Sequence, residues 1–207
     1  LTILSYSYVL EESVTCDSTV DVWLRLHVSH SFDLWERLAF YESLWNGAPS
    51  VYADYDKTKQ TVLSLKGYID AQPKSIQLCH IDAVPDNFLF VTGKDGSEEI
   101  KLTDWEYAGM QDPHLDVAMF IIYAMYDRDS AEKLIDLYFS DGCDKATRLK
   151  IYCYIAVSGL VWSNWCEFKR HCGVEFGAYA QRQYDYAREY TKIFFKEYRE
   201  AFGRDYV

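Results

Sequence analysis

No apolar run in this 207-residue chain is long enough to cross a bilayer. Stretches such as Val117 to Met125 stop at Asp116 and Asp127, whereas a spanning helix needs about 20 mostly apolar residues. The expectation is a chain with no membrane partner. Positive charge is in deficit, 21 Lys and Arg against 32 Asp and Glu, for a net charge of −11. A field of that sign keeps the protein in solution, repels polyanions and draws in cations, so nucleic acid is excluded as a partner class. Proline is scarce, with four scattered residues. Repeats and low-complexity tracts are absent, so composition marks no domain boundary, and the length predicts one compact domain. The cysteines, Cys16, Cys79, Cys143, Cys153, Cys166 and Cys172, show no metal-ligand spacing and no dense disulfide pattern. They read as buried thiols of a reducing compartment, and the expected location is cytoplasmic. An initiator Met and a charged, then apolar, signal segment are also missing. The chain opens at Leu1 and reads as a piece of a longer protein.

Apolar side chains are plentiful, 49% of residues with 17% aromatic, enough to bury a core. Ser18-Thr-Val-Asp21 has capping-box character ahead of Val22, Trp23, Leu26 and Val28, and Ser31 precedes Leu34, Trp35, Leu38, Tyr41 and Trp45 at helical spacing. A third helix is expected from Asp56 to Ala71, ending before Pro73. Ser75 to His80 and Phe88 to Thr92 read as short strands, and Gly93-Lys-Asp-Gly96 turns the chain into a third, Glu99 to Thr103. From His114 to Arg199 the period returns to helix, in four segments broken near Asp127, Gly142 and Gly173. The fold class is mainly α (α+β): a helical lobe with a small β-hairpin.

Polar residues concentrate around that hairpin. His80-Ile-Asp82-Ala-Val-Pro-Asp86-Asn87 precedes one strand, and Asp104 ends the next. Asp and Asn are common turn formers. They are also the oxygen donors that phosphoryl transfer needs: a carboxylate to orient and deprotonate an attacking hydroxyl, and ligands for the magnesium that bridges nucleotide phosphates. Farther on, Trp162 and Trp165 stand three apart on an apolar helix and so share a face. Stacked aromatic faces suit a quaternary ammonium, which offers no ordinary hydrogen bond.

These segments together resemble the choline kinases and aminoglycoside kinases, the small-molecule branch of the protein-kinase-like phosphotransferases. Their catalytic loop reads His-x-Asp-x-x-x-x-Asn before an apolar strand, as His80 to Phe90 does here. Their magnesium motif is a strand ending in Asp-Phe/Trp-Glu, matched by Ile100-Lys-Leu-Thr-Asp104-Trp-Glu106, then Asp112-Pro-His-Leu-Asp116. The resemblance implies the C-terminal lobe of a kinase-like fold over residues 21–207, with the catalytic residues carried by the hairpin. It implies Asp82 as catalytic base, Asn87 and Asp104 as magnesium ligands, and ATP and Mg2+ as cofactors. His80 would support the loop structurally, and Asp116 would steady it from a helix start. The Trp-x-x-Trp pair points to the bacterial choline branch. Trp162, Trp165 and Tyr179 would cage the ammonium, with Tyr123, Tyr126 and Glu106 also on the substrate side.

The resemblance is incomplete at the start of the chain. Leu24-Arg-Leu-His27 is similar to the helix that links the two lobes, but residues 1–20 match nothing and stand where a hinge to a preceding lobe would be. No Gly-rich phosphate loop occurs, and no lysine lies in a suitable early strand. The N-terminal ATP-binding lobe is therefore a missing partner, and this chain alone is expected not to turn over ATP. The loop also departs from the commoner pattern at Ile81 and Ala83, where Asn and Leu are frequent. The implied reaction is transfer of the γ-phosphate of MgATP to choline. The alternatives are a kinase of ethanolamine, another small amino alcohol or an aminoglycoside, or a non-catalytic choline-binding module.

Overall fold

A computed structural model describes residues 31–206. The helix expected after Ser18 and the Leu24–His27 segment lie outside these residues. In chain order the described elements are α1 (Leu34–Ser43), α2 (Tyr55–Ser64), α3 (Lys66–Ala71), β1 (Gln77–Cys79), β2 (Phe88–Thr92), β3 (Glu98–Leu102), β4 (Gly109–Gln111), α4 (His114–Tyr123), α5 (Arg128–Tyr138), α6 (Lys145–His171) and α7 (Ala178–Phe202). The chain divides into two compact units. One comprises the described part of Leu1–Phe32 with Ser75–Cys143, and the other Asp33–Lys74 with Asp144–Val207.

The first unit carries all four strands. β2 and β3 form the expected hairpin, with Phe90 opposite Ile100. Gly96 takes the positive φ of 83° that its turn requires. β1 does not join this hairpin. It pairs antiparallel with β4, Cys79 opposite Gly109, a strand the sequence reading did not foresee. α4 is apolar almost all round, with Leu115, Val117, Ala118, Met119, Ile121 and Ile122 buried, as a helix enclosed in a core must be. Phe88 at the start of β2 meets Phe120 of α4 edge-on at 5.6 Å. α5 follows a cap in which the Asp127 side chain accepts the Ser130 N–H at 2.9 Å.

The second unit is helical. α6 is capped by Asp144, whose side chain accepts the Thr147 N–H at 3.0 Å, and it packs along α7. The α7 residues Tyr184, Ala187, Tyr190, Phe194 and Tyr198 are buried at three- and four-residue intervals. The two axes approach closely at Gly159, where an added Cβ would stand 2.7 Å from the Gln183 carbonyl oxygen and 2.8 Å from Cβ of Tyr186. α1 lays Leu34, Leu38 and Tyr41 into the same core. Its cap is Asp33, which accepts the N–H groups of Trp35 (2.7 Å) and Glu36 (3.0 Å). The helix expected over Asp56–Ala71 is two, because the chain breaks at Leu65, which is buried and closes α2 by donating to the Val62 carbonyl.

Candidate active site

The loop that begins at His80 leaves β1 and enters β2 through a short turn, Pro85–Asn87. Five hydrogen bonds hold it, one within the loop and four to its surroundings. The Asn87 amide donates to the Asp82 carbonyl at 2.9 Å. The Thr103 N–H donates to the Asn87 carbonyl at 3.0 Å. His80 Nε2 lies 2.8 Å from the Thr103 carbonyl. The carboxylate of Asp116 accepts the N–H groups of His80 and Ile81, each at 2.8 Å. Asp82 and Asn87 are half-buried and Asp104 is exposed. The loop between β1 and β2 and the end of β3 are thereby fixed to each other, which brings Asp82, Asn87 and Asp104 onto one framework within the first unit.

Two positions of this framework have left-handed backbones, Ile81 at φ 69° and Asp104 at φ 64°. Asp tolerates that region, while a β-branched residue rarely adopts it. Ile81 is fully buried and its N–H is one of those held by Asp116, so the neighbouring structure imposes the conformation. Burial pushes the Asp116 carboxyl up to about 7, against the opposing pull of the Ile81 and His80 N–H groups. Burial likewise holds the His80 imidazole below its ordinary value, offset in part by the Thr103 carbonyl. The buried Cys79 thiol is pushed well up by burial and by Asp116, so it is no nucleophile.

Two neighbours contribute that motif reasoning passed over. The Trp105 indole donates to the Leu102 carbonyl at 3.0 Å, and its ring meets His80 edge-on at 4.7 Å. Thr103 supplies the carbonyl that faces His80. Both lie inside the Ile100 to Glu106 segment that carries the family resemblance, which was their only signal. Glu106 is exposed in the turn leading to β4. Tyr123 is buried on α4, and Tyr126 is half-buried against Phe120, 5.9 Å between ring centroids.

The aromatic group lies in the second unit. Trp162 is only 4% exposed and packs against Tyr41 at 6.0 Å and Trp165 at 5.8 Å. Trp165 is half-buried and continues to Phe176 at 4.9 Å, and Phe176 to the half-buried Tyr179 at 6.3 Å. The Lys169 ammonium lies 5.4 Å from the Trp165 ring centroid, so this ring already attracts one cation.

A mainly helical chain with a short hairpin is the architecture of a kinase-like lobe, and the solved relatives share that fold. The choline kinase LicA from Streptococcus pneumoniae is 28% identical, with a TM-score of 0.65 over 81% of this chain and 57% of that one. LicA in complex with AMP is 25% identical, with a TM-score of 0.64 over 90% of this chain and 64% of that one. Protein LicA of Haemophilus influenzae is 26% identical over 196 residues, 86% of this chain and 69% of its own length. The choline/ethanolamine kinase family model matches residues 12–141. The chain belongs to the choline/ethanolamine kinase family. It spans between about half and two thirds of the length of these relatives.

Proposed function

We propose that the protein of which this chain is part phosphorylates choline with MgATP. One observation carries the reading: Asn87 is hydrogen-bonded to Asp82, and Thr103, the residue before Asp104, is hydrogen-bonded to Asn87 and His80, so the three polar positions share one frame. In this reading the Asp82 carboxylate accepts and orients the proton of the choline hydroxyl, which attacks the γ-phosphorus in line as the bond to the β-γ bridging oxygen breaks. Asn87 and Asp104 fit Mg2+. Both offer oxygen to a hard cation, and donation of the Asn87 amide nitrogen to Asp82 leaves its Oδ1 as the remaining polar atom of that side chain. Among the described residues no group of three or more His, Cys, Asp or Glu could hold a metal. Asn87 and Asp104 would hold the ion, and the chemistry it would supply is neutralisation of charge on the transferred group.

On the resemblance to the choline kinases, Trp162, Trp165 and Tyr179 are assigned to the ammonium end, and Tyr123, Tyr126 and Glu106 are assigned to the substrate on the same ground. The family and the AMP-bound relative support a nucleotide co-substrate. The ATP-binding lobe is taken to be a separate part of the whole kinase, so this chain alone binds without turnover. No helix of the described residues is long and apolar enough to cross a membrane.

Calorimetric titration of the chain with choline, with ethanolamine as comparison, tests the substrate assignment. Choline should bind more tightly and lose its advantage in Trp165→Ala, since a primary ammonium can use hydrogen bonds in place of aromatic faces. Equal binding of both amines, or an unaffected Trp165→Ala, would overturn it.

A further inference from the structure

We propose that the second unit carries an additional binding site, for a small organic cation, in a cavity of about 400 Å³ between the end of α1 and the start of α2. The tryptophan pair does not line this cavity. Its size falls within the roughly 300–1,000 Å³ of small-molecule sites. The half-buried Tyr52 supplies the accessible aromatic surface, Trp45 and Tyr55 are buried in the wall with their rings 5.1 Å apart, Glu42 and Asp56 supply carboxylates, and no lysine or arginine is among the lining residues. Aromatic faces with nearby carboxylates form the environment that attracts an alkylated ammonium.

The walls are held in place rather than left to collapse. Trp45 donates its indole N–H to the Asn164 carbonyl at 3.0 Å. The Asn164 amide donates to the Tyr55 hydroxyl at 2.8 Å. Tyr52 stacks on Tyr184 at 3.7 Å and donates its hydroxyl to the Ala180 carbonyl at 3.2 Å. Each aromatic wall is thus anchored on α6 or α7. The connecting loop is fixed by Glu167, a buried carboxylate that accepts the Ser50 hydroxyl and the Val51 N–H, the latter at 3.1 Å. Beside the amide nitrogen that reaches Tyr55, Oδ1 of the fully buried Asn164 has no partner. This acceptor remains unmet behind the aromatic wall.

The carboxylates are unequal. Glu42 is paired with Lys59 at 2.5 Å, whereas Asp56 is exposed and makes no ion pair among the described residues. Asp56 is therefore the counter-ion, and the aromatic faces receive the apolar body of the ligand. An ammonium with a small alkyl shell matches both requirements, and an anion matches neither.

The test is titration with tetramethylammonium chloride at constant ionic strength, read by calorimetry, in the Trp165→Ala background so that the tryptophan group is silenced. Binding should persist there and weaken by about fivefold or more on adding Asp56→Asn or Tyr52→Leu, the weight of one cation–aromatic or ion contact. Asp56 is exposed, so its isosteric variant keeps the fold even if Tyr52→Leu does not. A neutral isostere of choline, 3,3-dimethyl-1-butanol, should bind several-fold more weakly. Loss of all tetramethylammonium binding in Trp165→Ala would overturn the cavity site while leaving the choline assignment standing. Unchanged binding in Asp56→Asn, or equal binding of the neutral alcohol, would overturn it as well.

Discussion

Asp116 holds the backbone N–H of Ile81 at 2.8 Å, and Ile81 is a fully buried β-branched residue at φ 69°. A left-handed backbone costs about 1–2 kcal/mol for such a residue, so this bond and its companion to His80 oppose a strain placed immediately before Asp82. Asp116→Asn replaces one acceptor oxygen by a donor and leaves a buried N–H unmet, at about 1–3 kcal/mol. Thermal melting should show a fall of roughly 2–4 °C per kcal/mol for a chain of this size. An unchanged melting temperature would mean that Asp116 does not brace the loop.

The same carboxyl sets a pH dependence. Burial raises its value to about 7, above the value of about 3.9 expected in the unfolded chain. Between those values the folded state binds more protons, so this contribution to stability is complete at low pH and is lost as pH rises toward 7. His80 acts in the opposite sense: its value is depressed by burial, and its contribution is lost as pH falls below about 6.5 and through the folded value. The penalty of Asp116→Asn should therefore be larger at pH 5 than at pH 8 in paired denaturant melts. A penalty that grows with pH would reverse the assignment.

Gly159 tests the packing of α6 on α7. Alanine is favoured over glycine within a helix by about 1 kcal/mol, so on propensity alone Gly159→Ala would stabilise. The new Cβ, however, would stand 2.7 Å from a backbone oxygen and 2.8 Å from another Cβ, neither of which can swing aside. Overpacking of that kind costs about 1–3 kcal/mol, so the variant should be less stable in urea than the parent. A more stable variant would show that the helices have room to separate.

The helices were legible because their breaks carry chemistry. Asp127 caps α5, Gly142 and Gly173 take positive φ, and the α7 residues from Tyr184 to Tyr198 keep a helical period. The break at Leu65 was not legible, because Leu is a good helix former and its burial is a tertiary fact. Nor was β4, since the three residues Gly109–Gln111 are too short for an alternating pattern to register. At the candidate site, the resemblance pointed to Asp82, Asn87 and Asp104, but a motif contains nothing about the bonds that Thr103 makes with His80 and Asn87. Residues three apart share a helix face, yet their spacing does not say how deeply that face is sunk.

That depth separates the two tryptophans and decides which one can test choline binding. Trp162 is 4% exposed and wedged between Tyr41 and Trp165, so Trp162→Ala empties a core site at about 3–5 kcal/mol. Its loss of binding would then be inseparable from its loss of fold. Trp165 is half-buried, and Trp165→Ala should lower the melting temperature much less while removing an aromatic face. Lys169, whose ammonium lies 5.4 Å from that ring, competes for the face, and its like charge repels a bound ammonium. Lys169→Gln should therefore tighten choline binding severalfold, with the gain absent in the Lys169→Gln/Trp165→Ala double variant. A gain that survives loss of the ring would mean that Lys169 acts only through the general field and that Trp165 is not the face choline uses.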